Sequence, residues 1–484
     1  MNTKLIVFYI GVSLLLVSAL MGVSGIIAWS TPGDNSRLPL FYSALVTLIT
    51  GVFPLLFVRR GDAWLHFREG NCVVVYSWAA ACLFGMLPFL LYGQEFDALD
   101  ALFESVSGFT TTGASILDDV EALPRGLQFW RISTAWVGGV GIVTLFSMLV
   151  PRSGDRAALS GAEISSMARS SFSGERSTLF ANRMLIVYVA LTVLTLLALK
   201  ATGLGWFDAA THAMSACSTC GFSTRGASIA AFGNPAAELV LTAAMLVSGL
   251  NFGVIFLSFV RGSRQHVWSS ETIRTFLLVV AAFIVMISAD LLLSGKYQSL
   301  PVALRDASFQ VASLATTTGF ATRDTVLWPA FSMVLLWLSS LICGCSGSTS
   351  GGIKFDRLLL AVKGLRARIR IAIDPSRIVR VRVDGITRSP QQVSDTYVYI
   401  FCYLLITALF SAVNVACGMD FITGLTASVA CIGNVGPGFG EVGSMANYAH
   451  IPAVLKVTGM LEMFLGRLEI FPVLYLLGGH SDRN

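Results

Sequence analysis

Long apolar runs separated by short polar segments dominate the chain. Ten of these runs are long enough to cross a bilayer of about 30 Å at 1.5 Å per residue. They cover residues 5–29, 40–58, 72–93, 128–150, 183–200, 236–260, 272–294, 326–343, 396–417 and 452–478. The first run exceeds the apolar core of a signal peptide, about 7–15 residues, so it is predicted to be a retained span. The pattern predicts an all-α polytopic membrane protein.

Four shorter apolar stretches lie between the spans, each in a sixteen-residue window that recurs along the chain. The windows cover residues 100–115, 208–223, 306–321 and 423–438, and they align on Gly113, Gly221, Gly319 and Gly436. Thr or another small polar residue precedes the glycine in most copies. The order span, short helix, loop, span therefore occurs four times, and we expect four pseudo-symmetric repeats around one central ion pore.

The windows have the features of a carbonyl-lined ion filter. Asp100, Asp208 and Asp306 are predicted to cap short helices, and glycine about ten residues later permits the positive φ that ends a helix. Non-helical backbone at membrane depth is tolerated only where it lines water or is buried in protein. Carbonyl oxygens aimed at an axis replace an ion's hydration shell, and the partially negative helix C-termini favour a cation.

Other interpretations of the windows are helix breaks at packing contacts and the discontinuous helices of an inverted-repeat transporter. Four copies in the same sense relative to the predicted topology favour the pore. Cys217 and Cys220 form a Cys-x-x-Cys pair inside the second window, but no further ligands accompany them, so we do not expect a metal or redox site.

Composition agrees with a membrane protein, since 55% of residues are hydrophobic and 13% are charged, against about 25% charged in soluble domains. The nine cysteines lie mostly in or beside apolar segments. An odd count without a surface framework predicts free, buried thiols rather than disulfides.

Basic residues cluster in alternate loops, which predicts that these loops and the N-terminus lie in the cytoplasm. The clusters are Arg59, Arg60 and Arg68; Arg152, Arg156, Arg169, Arg176 and Arg183; Arg261, Arg264 and Arg274; and Lys363, Arg366, Arg368, Arg370, Arg377, Arg380, Arg382 and Arg388. The last cluster could contact lipid, dock a soluble partner or only set topology; nucleic acid binding is not expected, because no recognised module accompanies it.

The four windows then face the outside, and acidic residues surround the first of them. These are Glu95, Asp97, Asp100, Asp118, Asp119 and Glu121. Acids at a pore mouth concentrate cations. Ordinary polar loop chemistry is an equal alternative for them.

Four further motifs complete a resemblance. They are WVGGVGI at 136–142, GLNFG at 249–253, GCSGSTSGGIK at 344–354 and GRLE at 466–469. Together with the windows they resemble the Trk/Ktr/HKT superfamily of potassium transport proteins over essentially the whole chain. The resemblance implies K⁺ as the transported ion, no organic cofactor, and a channel-like subunit that conducts K⁺ inward down its electrochemical gradient.

The resemblance implies three filter residues in each window. They are Thr111, Thr112 and Gly113; Thr219, Cys220 and Gly221; Thr317, Thr318 and Gly319; and Asn434, Val435 and Gly436. Members with serine at the first filter glycine tend to admit Na⁺, so Gly113 favours potassium. The fourth window lacks the Thr-Thr pair, and the filter is therefore expected to be only pseudo-fourfold.

Glycine and serine interrupt the second span of the third repeat, and the resemblance implies an intramembrane gating loop below the filter. The residues assigned to the gate are Gly344, Ser346, Gly347, Ser348, Thr349, Ser350, Gly351, Gly352, Lys354 and Arg467. A close-packed glycine face is the alternative for the loop. Arginine inside a span costs about 2.5–3.5 kcal/mol, so Arg467 is expected to face the cavity as a gate element or to pair with Glu462 or Glu469.

The predicted organisation begins with an N-terminal transmembrane hairpin at 1–70. Repeats follow at 71–152, 183–262, 270–362 and 391–484, with a basic cytoplasmic segment at 363–390. The resemblance implies a homodimer in the bacterial cytoplasmic (inner) membrane and a cytosolic nucleotide-binding regulatory subunit of the TrkA type on the basic face. The chain carries no catalytic constellation, so we do not expect an enzyme. A K⁺/H⁺ or K⁺/Na⁺ symporter and the pore subunit of a P-type pump stay open as alternatives.

Overall fold

The computed structural model describes residues 3–58, 67–141, 177–260 and 265–477. Within them the chain is almost wholly helical, and the one sheet is a short antiparallel hairpin of Arg382–Val383 with Ile386–Thr387. The predicted all-α membrane fold is confirmed. Of the basic clusters, Arg59, Arg60, Arg152, Arg156, Arg169, Arg176, Arg261 and Arg264 lie outside the described residues, as do the side chains of Arg68 and Arg183.

Two antiparallel helices, Thr3–Ser30 and Arg37–Phe57, form the N-terminal hairpin. They approach closely at Gly11 and Gly51, where a β-carbon on Gly11 would lie 2.7 Å from the carbonyl oxygen of Gly51. Small residues permit such contact between helices in lipid. Asp34 in the turn accepts a hydrogen bond from the backbone N–H of Gly126 (2.9 Å), which ties the hairpin to the first repeat.

Each repeat consists of a first helix, a short pore helix and a second helix. The first helices are Phe67–Gly85 (continued by Leu87–Tyr92), Ser177–Ala201, Glu271–Leu293 and Pro390–Ala416. The pore helices are Ala98–Phe109, Trp206–Ser218, Leu300–Ala315 and Phe421–Ile432. The second helices are Arg125–Val140, Pro235–Ser248 (followed by Phe252–Val260), Ala330–Ile342 and Ala453–Arg467. The remaining helices are Gln265–Ser269, Phe355–Ile373 and Phe471–Leu477, with single 3₁₀ turns at Ser228–Phe232, Thr325–Leu327 and Gly440–Val442.

Six helices in the described part of the chain are long and apolar enough to cross a membrane: the two of the hairpin and the four first helices. The four predicted spans that differ are all second helices. The second of them is bent by 99° at a break before Phe252, and the others end after 13 to 16 residues. Their ends coincide with the glycine motifs, as at Gly141, whose φ is 96°. The sequence predicted a break only in the third repeat.

The predicted helix caps are wrong. The first and fourth pore helices begin after Asp97 and Asp420, whose carboxylates accept backbone N–H groups of the first turn. The second begins after Gly205, and the third after Ser299 with proline in its first turn. Asp97, Gly205 and Asp420 stand sixteen residues before their filter glycines, three residues upstream of the predicted position.

The acids at the predicted capping position instead hold the chain that leaves the filter or a neighbouring helix. Lys456 donates to Asp100 (2.5 Å), and the hydroxyl of Thr224 donates to Asp208 (2.7 Å). Asp306 is fully buried and accepts hydrogen bonds from Tyr297 (2.9 Å) and Arg323 (2.8 Å). The shared aspartates therefore anchor neighbouring segments and do not cap the pore helices.

Removal of the Asp420 cap is expected to destabilise the fourth pore helix. Asp420 accepts from the backbone N–H groups of Ile422 (2.9 Å) and Thr423 (3.1 Å). Hydrogen bonds from Thr423 lower the pKa of Asp420, so the stabilisation is present above the ordinary carboxyl pKa and is lost as pH falls through the lowered value. Asp420→Ala should cost about 1 kcal/mol, measured as a lower melting temperature in detergent. Asp420→Asn, which keeps the cap, should lose much less; equal losses would contradict this role.

Candidate functional site

The four filter loops share one backbone geometry. Two residues before each glycine the chain turns left-handed, with φ of 56° at Thr111, 54° at Thr219, 57° at Thr317 and 52° at Asn434. The glycines are also left-handed, with φ of 78° at Gly113, 83° at Gly221, 84° at Gly319 and 94° at Gly436. The fourth loop, although its side chains differ, follows the same path, because asparagine tolerates the left-handed region well.

The same two hydrogen bonds fold every loop back onto its pore helix. The backbone N–H of the residue before each glycine donates to the carbonyl of the residue six positions before the glycine. The pairs are Thr112–Ser107 (2.9 Å), Cys220–Ser215 (3.1 Å), Thr318–Ser313 (2.8 Å) and Val435–Ala430 (2.9 Å). The residue two before each glycine donates to the next carbonyl along, in the pairs Thr111–Gly108 (2.8 Å), Thr219–Ala216 (3.2 Å), Thr317–Leu314 (3.1 Å) and Asn434–Cys431 (3.1 Å). The end of each pore helix thus shapes its loop through backbone N–H and carbonyl groups, which do not depend on the side chain at these positions.

The four loops therefore share the same hydrogen bonds at equivalent positions. They also close into a ring. A β-carbon on each filter glycine would collide with the carbonyl oxygen that precedes the glycine of the next repeat. The pairs are Gly113 with Cys220 (1.8 Å), Gly221 with Thr318 (2.1 Å), Gly319 with Val435 (2.2 Å) and Gly436 with Thr112 (2.5 Å). Because the fourth pair returns to the first repeat, the loops surround one axis in chain order, and only glycine fits at the four contacts.

The ring opens onto one cavity of about 320 Å³, termed the mouth cavity, which all four filter glycines line. Asp118 and Arg225 also line it. Of the other acids predicted at a pore mouth, Asp97 is a cap and Asp100 pairs with Lys456. Burial, followed by the charges of Asp119 and Asp118, raises the pKa of Glu95. The acids therefore divide between structural roles and the cavity.

Polar side chains behind the filter hold the outgoing chain, and each repeat uses different chemistry nine residues before its glycine. Glu104 accepts from the backbone N–H of Ile116 (3.0 Å). His212 hydrogen-bonds the hydroxyl of Ser223 (2.9 Å), and Gln310 donates to the carbonyl of Arg323 (3.2 Å). The fourth repeat has Ala427 at this position, whose side chain cannot hydrogen-bond. The hydroxyl of the neighbouring Thr426 accepts from the backbone N–H of Phe439 (2.9 Å) instead.

Tyr448 adds a hydrogen bond to the filter itself in the fourth repeat. Its buried hydroxyl donates to the carbonyl of the filter glycine Gly436 (2.8 Å), and its backbone N–H donates to the carbonyl of Ser115 (2.7 Å). The residue lies after the filter, in a segment that the repeat windows do not include. It therefore joins the fourth loop to the first.

Tyr448→Phe is expected to loosen the Gly436 carbonyl and lower the preference for K⁺ over Na⁺. Loss of one hydrogen bond of about 0.5–1.5 kcal/mol corresponds to roughly a two- to tenfold change. Paired K⁺ and Na⁺ flux assays in liposomes measure the effect. Tyr92→Phe is the control, since the Tyr92 hydroxyl contacts only the exposed Gln94 side chain (3.1 Å) among the hydrogen bonds described. An unchanged flux ratio in Tyr448→Phe would exclude this role.

The glycine-rich segment after Ile342, termed the 343–354 loop, lies against the filter from the side opposite the mouth cavity. The backbone N–H of Gly351 donates to the hydroxyl of Thr317 (3.0 Å), and a β-carbon on Gly351 would lie 2.7 Å from the amide oxygen of Asn434. The hydroxyl of Thr349 donates to the carbonyl of Cys217 (2.9 Å). The loop thus contacts three of the four repeats directly.

Further hydrogen bonds hold the base of the 343–354 loop. The backbone N–H of Cys345 donates to Gly249 (2.8 Å), and that of Phe252 donates to Gly347 (2.9 Å), which fixes the loop in the bend of the second repeat. The Lys354 ammonium donates to the carbonyl of Ser350, and the carboxylate of Asp356 accepts from the backbone N–H of Ser346. The loop is therefore a defined structure and not a simple helix break.

Arg467 connects this loop to the first repeat. Its guanidinium donates to the carbonyl of Thr349 (2.7 Å) and to the carbonyls of Gly138 (2.5 Å) and Gly139 (2.9 Å). The two acids considered as its partners have other contacts: Glu462 hydrogen-bonds Ser428, and Glu469 accepts from Arg357 (2.7 Å). Arg467, at the end of the second helix of the fourth repeat, therefore links the second helix of the first repeat to the 343–354 loop.

The comparisons with known proteins agree with this architecture. Residues 40–479 match the TrkH family, described as a cation transport protein. The chain belongs to the TrkH family. The potassium uptake protein TrkH of Halomonas elongata is 35% identical over 440 residues, covering 89% of each chain, and that of Vibrio parahaemolyticus is 32% identical over 483 residues, covering 99% of each.

A solved TrkH structure has the same fold. The crystal structure of the potassium transporter TrkH from Vibrio parahaemolyticus has a TM-score of 0.89 at 30% identity and covers 99% of both chains. TrkH family membership also makes the chain a transport protein and not an enzyme.

The structure brings the twelve predicted filter residues into one ring and the predicted gate residues into one contact region below it; their roles stay a prediction. All nine cysteines are free thiols, as predicted. Seven of them are buried, Cys402 is partly exposed and Cys417 is exposed. The sequence did not identify Glu104, Arg131 or Tyr448. A charge inside a predicted span is a signal of function, and it would have identified Arg131 as it did Arg467.

Proposed function

We propose that the chain is the K⁺-translocating subunit of a Trk-type uptake system, which conducts K⁺ inward down its electrochemical gradient through a carbonyl-lined filter. The closed ring of four glycine–carbonyl contacts carries this proposal. Carbonyl oxygens packed against glycines around one axis are suited to replace the hydration shell of a monovalent cation. The relatives named as potassium uptake proteins support K⁺ as that cation.

The proposal assigns K⁺ coordination to the backbone of the filter residues at each repeat: 111–113, 219–221, 317–319 and 434–436. The hydroxyl of Thr111 and the amide oxygen of Asn434 are buried without a hydrogen-bond partner among the described residues. Asn434 lies beside Gly351 of the 343–354 loop, and Thr111 has the equivalent left-handed position in the first repeat. They are available to a partly hydrated ion that leaves the filter.

We assign the closed gate to the 343–354 loop and Arg467. The loop contacts the inner side of the filter through Gly351, and the fixed positive charge of Arg467 raises the barrier for a cation below it. Hydrogen bonds to three carbonyls hold that charge in place. Opening requires the loop to move away from the filter and from Arg467.

Regulation is proposed to come from the cytoplasmic side. Helix Phe355–Ile373 follows the loop directly. The exposed basic residues in and after it are Arg366, Arg368, Arg370, Arg377, Arg380 and Arg382, whereas Lys363 is half-buried and Arg388 is buried. A cytosolic nucleotide-binding subunit of the TrkA type can bind this exposed surface and pull on the loop. The positive-inside bias supports this orientation, with the N-terminus in the cytoplasm of a bacterial inner membrane. The homodimer and the repeat boundaries given above belong to the same proposal.

Uptake in cells tests the proposal. A bacterium that lacks its own K⁺ uptake systems is grown at limiting K⁺ with the wild-type chain or with Gly221→Ala, whose added β-carbon would lie 2.1 Å from the carbonyl oxygen of Thr318. The wild type should restore growth and uptake of Rb⁺ tracer, and the variant should not. Failure of the wild type, expressed in the membrane together with its regulatory subunit, would contradict the function.

A further inference from the structure

The first repeat contains a buried ion pair whose two partners contact two different filter loops. Glu104, in the first pore helix, accepts from the Nε of Arg131 in the second helix (2.5 Å). The side chains are 0% and 3% exposed, so each charge depends on the other for compensation. An ion pair withdrawn from water to this extent is costly, and it stands directly behind the filter.

Glu104 holds the loop of its own repeat. Its carboxylate accepts from the hydroxyl of Ser115 (3.1 Å) and from the backbone N–H of Ile116 (3.0 Å). Ser115 comes two residues after the filter glycine Gly113. The carboxylate therefore fixes where the first loop leaves the filter.

Arg131 holds the loop of the second repeat at the equivalent position. Its Nη1 donates to the carbonyl of Ser223 (3.1 Å), and its guanidinium lies 3.6 Å from the ring centroid of Phe222. Ser223 comes two residues after the filter glycine Gly221. A cation over an aromatic face is attracted by the ring, more strongly when it is removed from water.

We propose that the Glu104–Arg131 pair is a positioning element that sets the spacing of the first and second filter loops and thereby the selectivity for K⁺ over Na⁺. The pair connects the exits of the two loops whose contact is the tightest of the four, at Gly113, where an added β-carbon would lie 1.8 Å from the carbonyl oxygen of Cys220. The inference rests on the proposed function and adds residues that determine its specificity.

The other repeats have no equivalent pair. The residues aligned with Glu104 are His212, Gln310 and Ala427. Arg131 comes seven residues after the proline at the start of its helix, Pro124, and the residues seven after the corresponding prolines are Thr242, Leu336 and Gly459. Of the four contacts between neighbouring filter loops, the one between the first and second loops is thus supported by this ion pair. A filter that must hold a larger ion without collapsing onto a smaller one needs at least one rigid spacing, and a buried pair with several hydrogen bonds is more rigid than an apolar contact.

Selectivity measurements on three variants test the inference. Glu104→Gln removes the negative charge at constant size, and Arg131→Lys keeps the positive charge but loses the planar fork. Ser115→Ala removes the hydroxyl that donates to Glu104 and accepts from the backbone N–H of Leu117 (3.2 Å), and leaves the pair intact. Outer supports of ion-binding groups typically change affinity about 10–100-fold, so the first two variants should lower the K⁺/Na⁺ flux ratio about tenfold or more. Ser115→Ala should lower it less.

The matched control is Arg357→Lys. Arg357 forms a similar pair with Glu469 (2.7 Å), and its guanidinium lies 3.9 Å from the ring of Tyr399, but it contacts no filter loop among the interactions described. Variants are compared in liposomes after their melting temperatures and monodispersity are matched. The control should keep the wild-type flux ratio even where its stability is lower.

The outcomes distinguish failure of the proposed K⁺ function from failure of the positioning role of the Glu104–Arg131 pair. A wild type that does not prefer K⁺ would overturn the proposed function and this inference with it. A selective wild type together with unchanged ratios in all three variants would overturn the inference alone. If Glu104→Gln and Arg131→Lys do not fold, Ser115→Ala decides: a lower ratio supports the positioning role, and an unchanged ratio contradicts it.

Discussion

Gly113→Ser is expected to raise Na⁺ flux until the K⁺/Na⁺ flux ratio falls at least about tenfold, a difference of about 1.4 kcal/mol between the two ions. The serine β-carbon would lie 1.8 Å from the carbonyl oxygen of Cys220. Real β-carbons do not approach an oxygen so closely, so this carbonyl and the loop that carries it must move. A filter with one displaced carbonyl no longer matches K⁺ better than Na⁺.

Two effects combine at Gly113, and a control separates them. Its φ of 78° strains any side chain, and its β-carbon position is occupied by the next repeat. Gly295 has a φ of 70° and nothing within 4 Å of an added β-carbon, so Gly295→Ser introduces the backbone strain alone. The control should keep its selectivity. Unchanged selectivity in a folded Gly113→Ser variant would remove Gly113 from the filter.

Arg467→Ala is expected to raise the K⁺ flux of the isolated protein about tenfold or more. Hydrogen bonds that involve a charged group contribute about 1.5–3 kcal/mol each, and Arg467 donates three, to Thr349, Gly138 and Gly139. Loss of a single such bond from the closed state alone corresponds to about tenfold in the open population. Removal of the positive charge also lowers the barrier to K⁺.

The control for Arg467 is another arginine that donates to backbone carbonyls. Arg37 contacts Ala28 (3.1 Å) and Thr31 (2.6 Å) in the N-terminal hairpin, outside the four repeats. Arg37→Ala should leave basal flux unchanged. Deletion of part of 346–351 should raise flux as Arg467→Ala does. If both gate variants fold and conduct no more than the wild type, the closed gate lies elsewhere.

The sequence predicted the repeats and their filter loops because both depend on local, repeated features. Gly113 and its three equivalents align by their spacing, and each is left-handed in the structure. The fourth loop, which has no Thr-Thr pair, was predicted to weaken the symmetry, yet Asn434 adopts the same left-handed turn as Thr111. Backbone geometry determines the loop more strongly than side-chain identity does.

The helix caps were wrong because the first three pore helices begin upstream of their windows, before the aspartates that were predicted to cap them. Asp97 and Asp100 stand three residues apart, and aspartate is suited to cap a helix at either position. In the structure Asp97 is the extended residue that precedes the helix, whereas Asp100 lies in its first turn. In the third repeat proline in the first turn indicates an earlier start after Ser299. Burial of Asp306 between Tyr297 and Arg323 depends on tertiary packing, which a sequence pattern does not contain.

Residues that join different repeats could not be derived from the windows. Tyr448 contacts Gly436 in its own repeat and Ser115 in the first, and Arg131 reaches across to Ser223. Such contacts depend on how four units close around an axis, whereas each window describes only one unit. The breaks at Gly141 and Gly249 were visible as motifs, but their effect on helix length required the structure.

Ion flux through the purified protein alone tests the central claim most directly. Liposomes that contain only this chain are loaded with K⁺ or Na⁺, and an ionophore sets the membrane voltage without a gradient of any second ion. A channel-like K⁺ pore predicts voltage-driven K⁺ movement that exceeds Na⁺ movement, small in the wild type and larger in Arg467→Ala. K⁺ movement that appears only with an imposed H⁺ or Na⁺ gradient would contradict a channel-like pore and establish coupled transport instead.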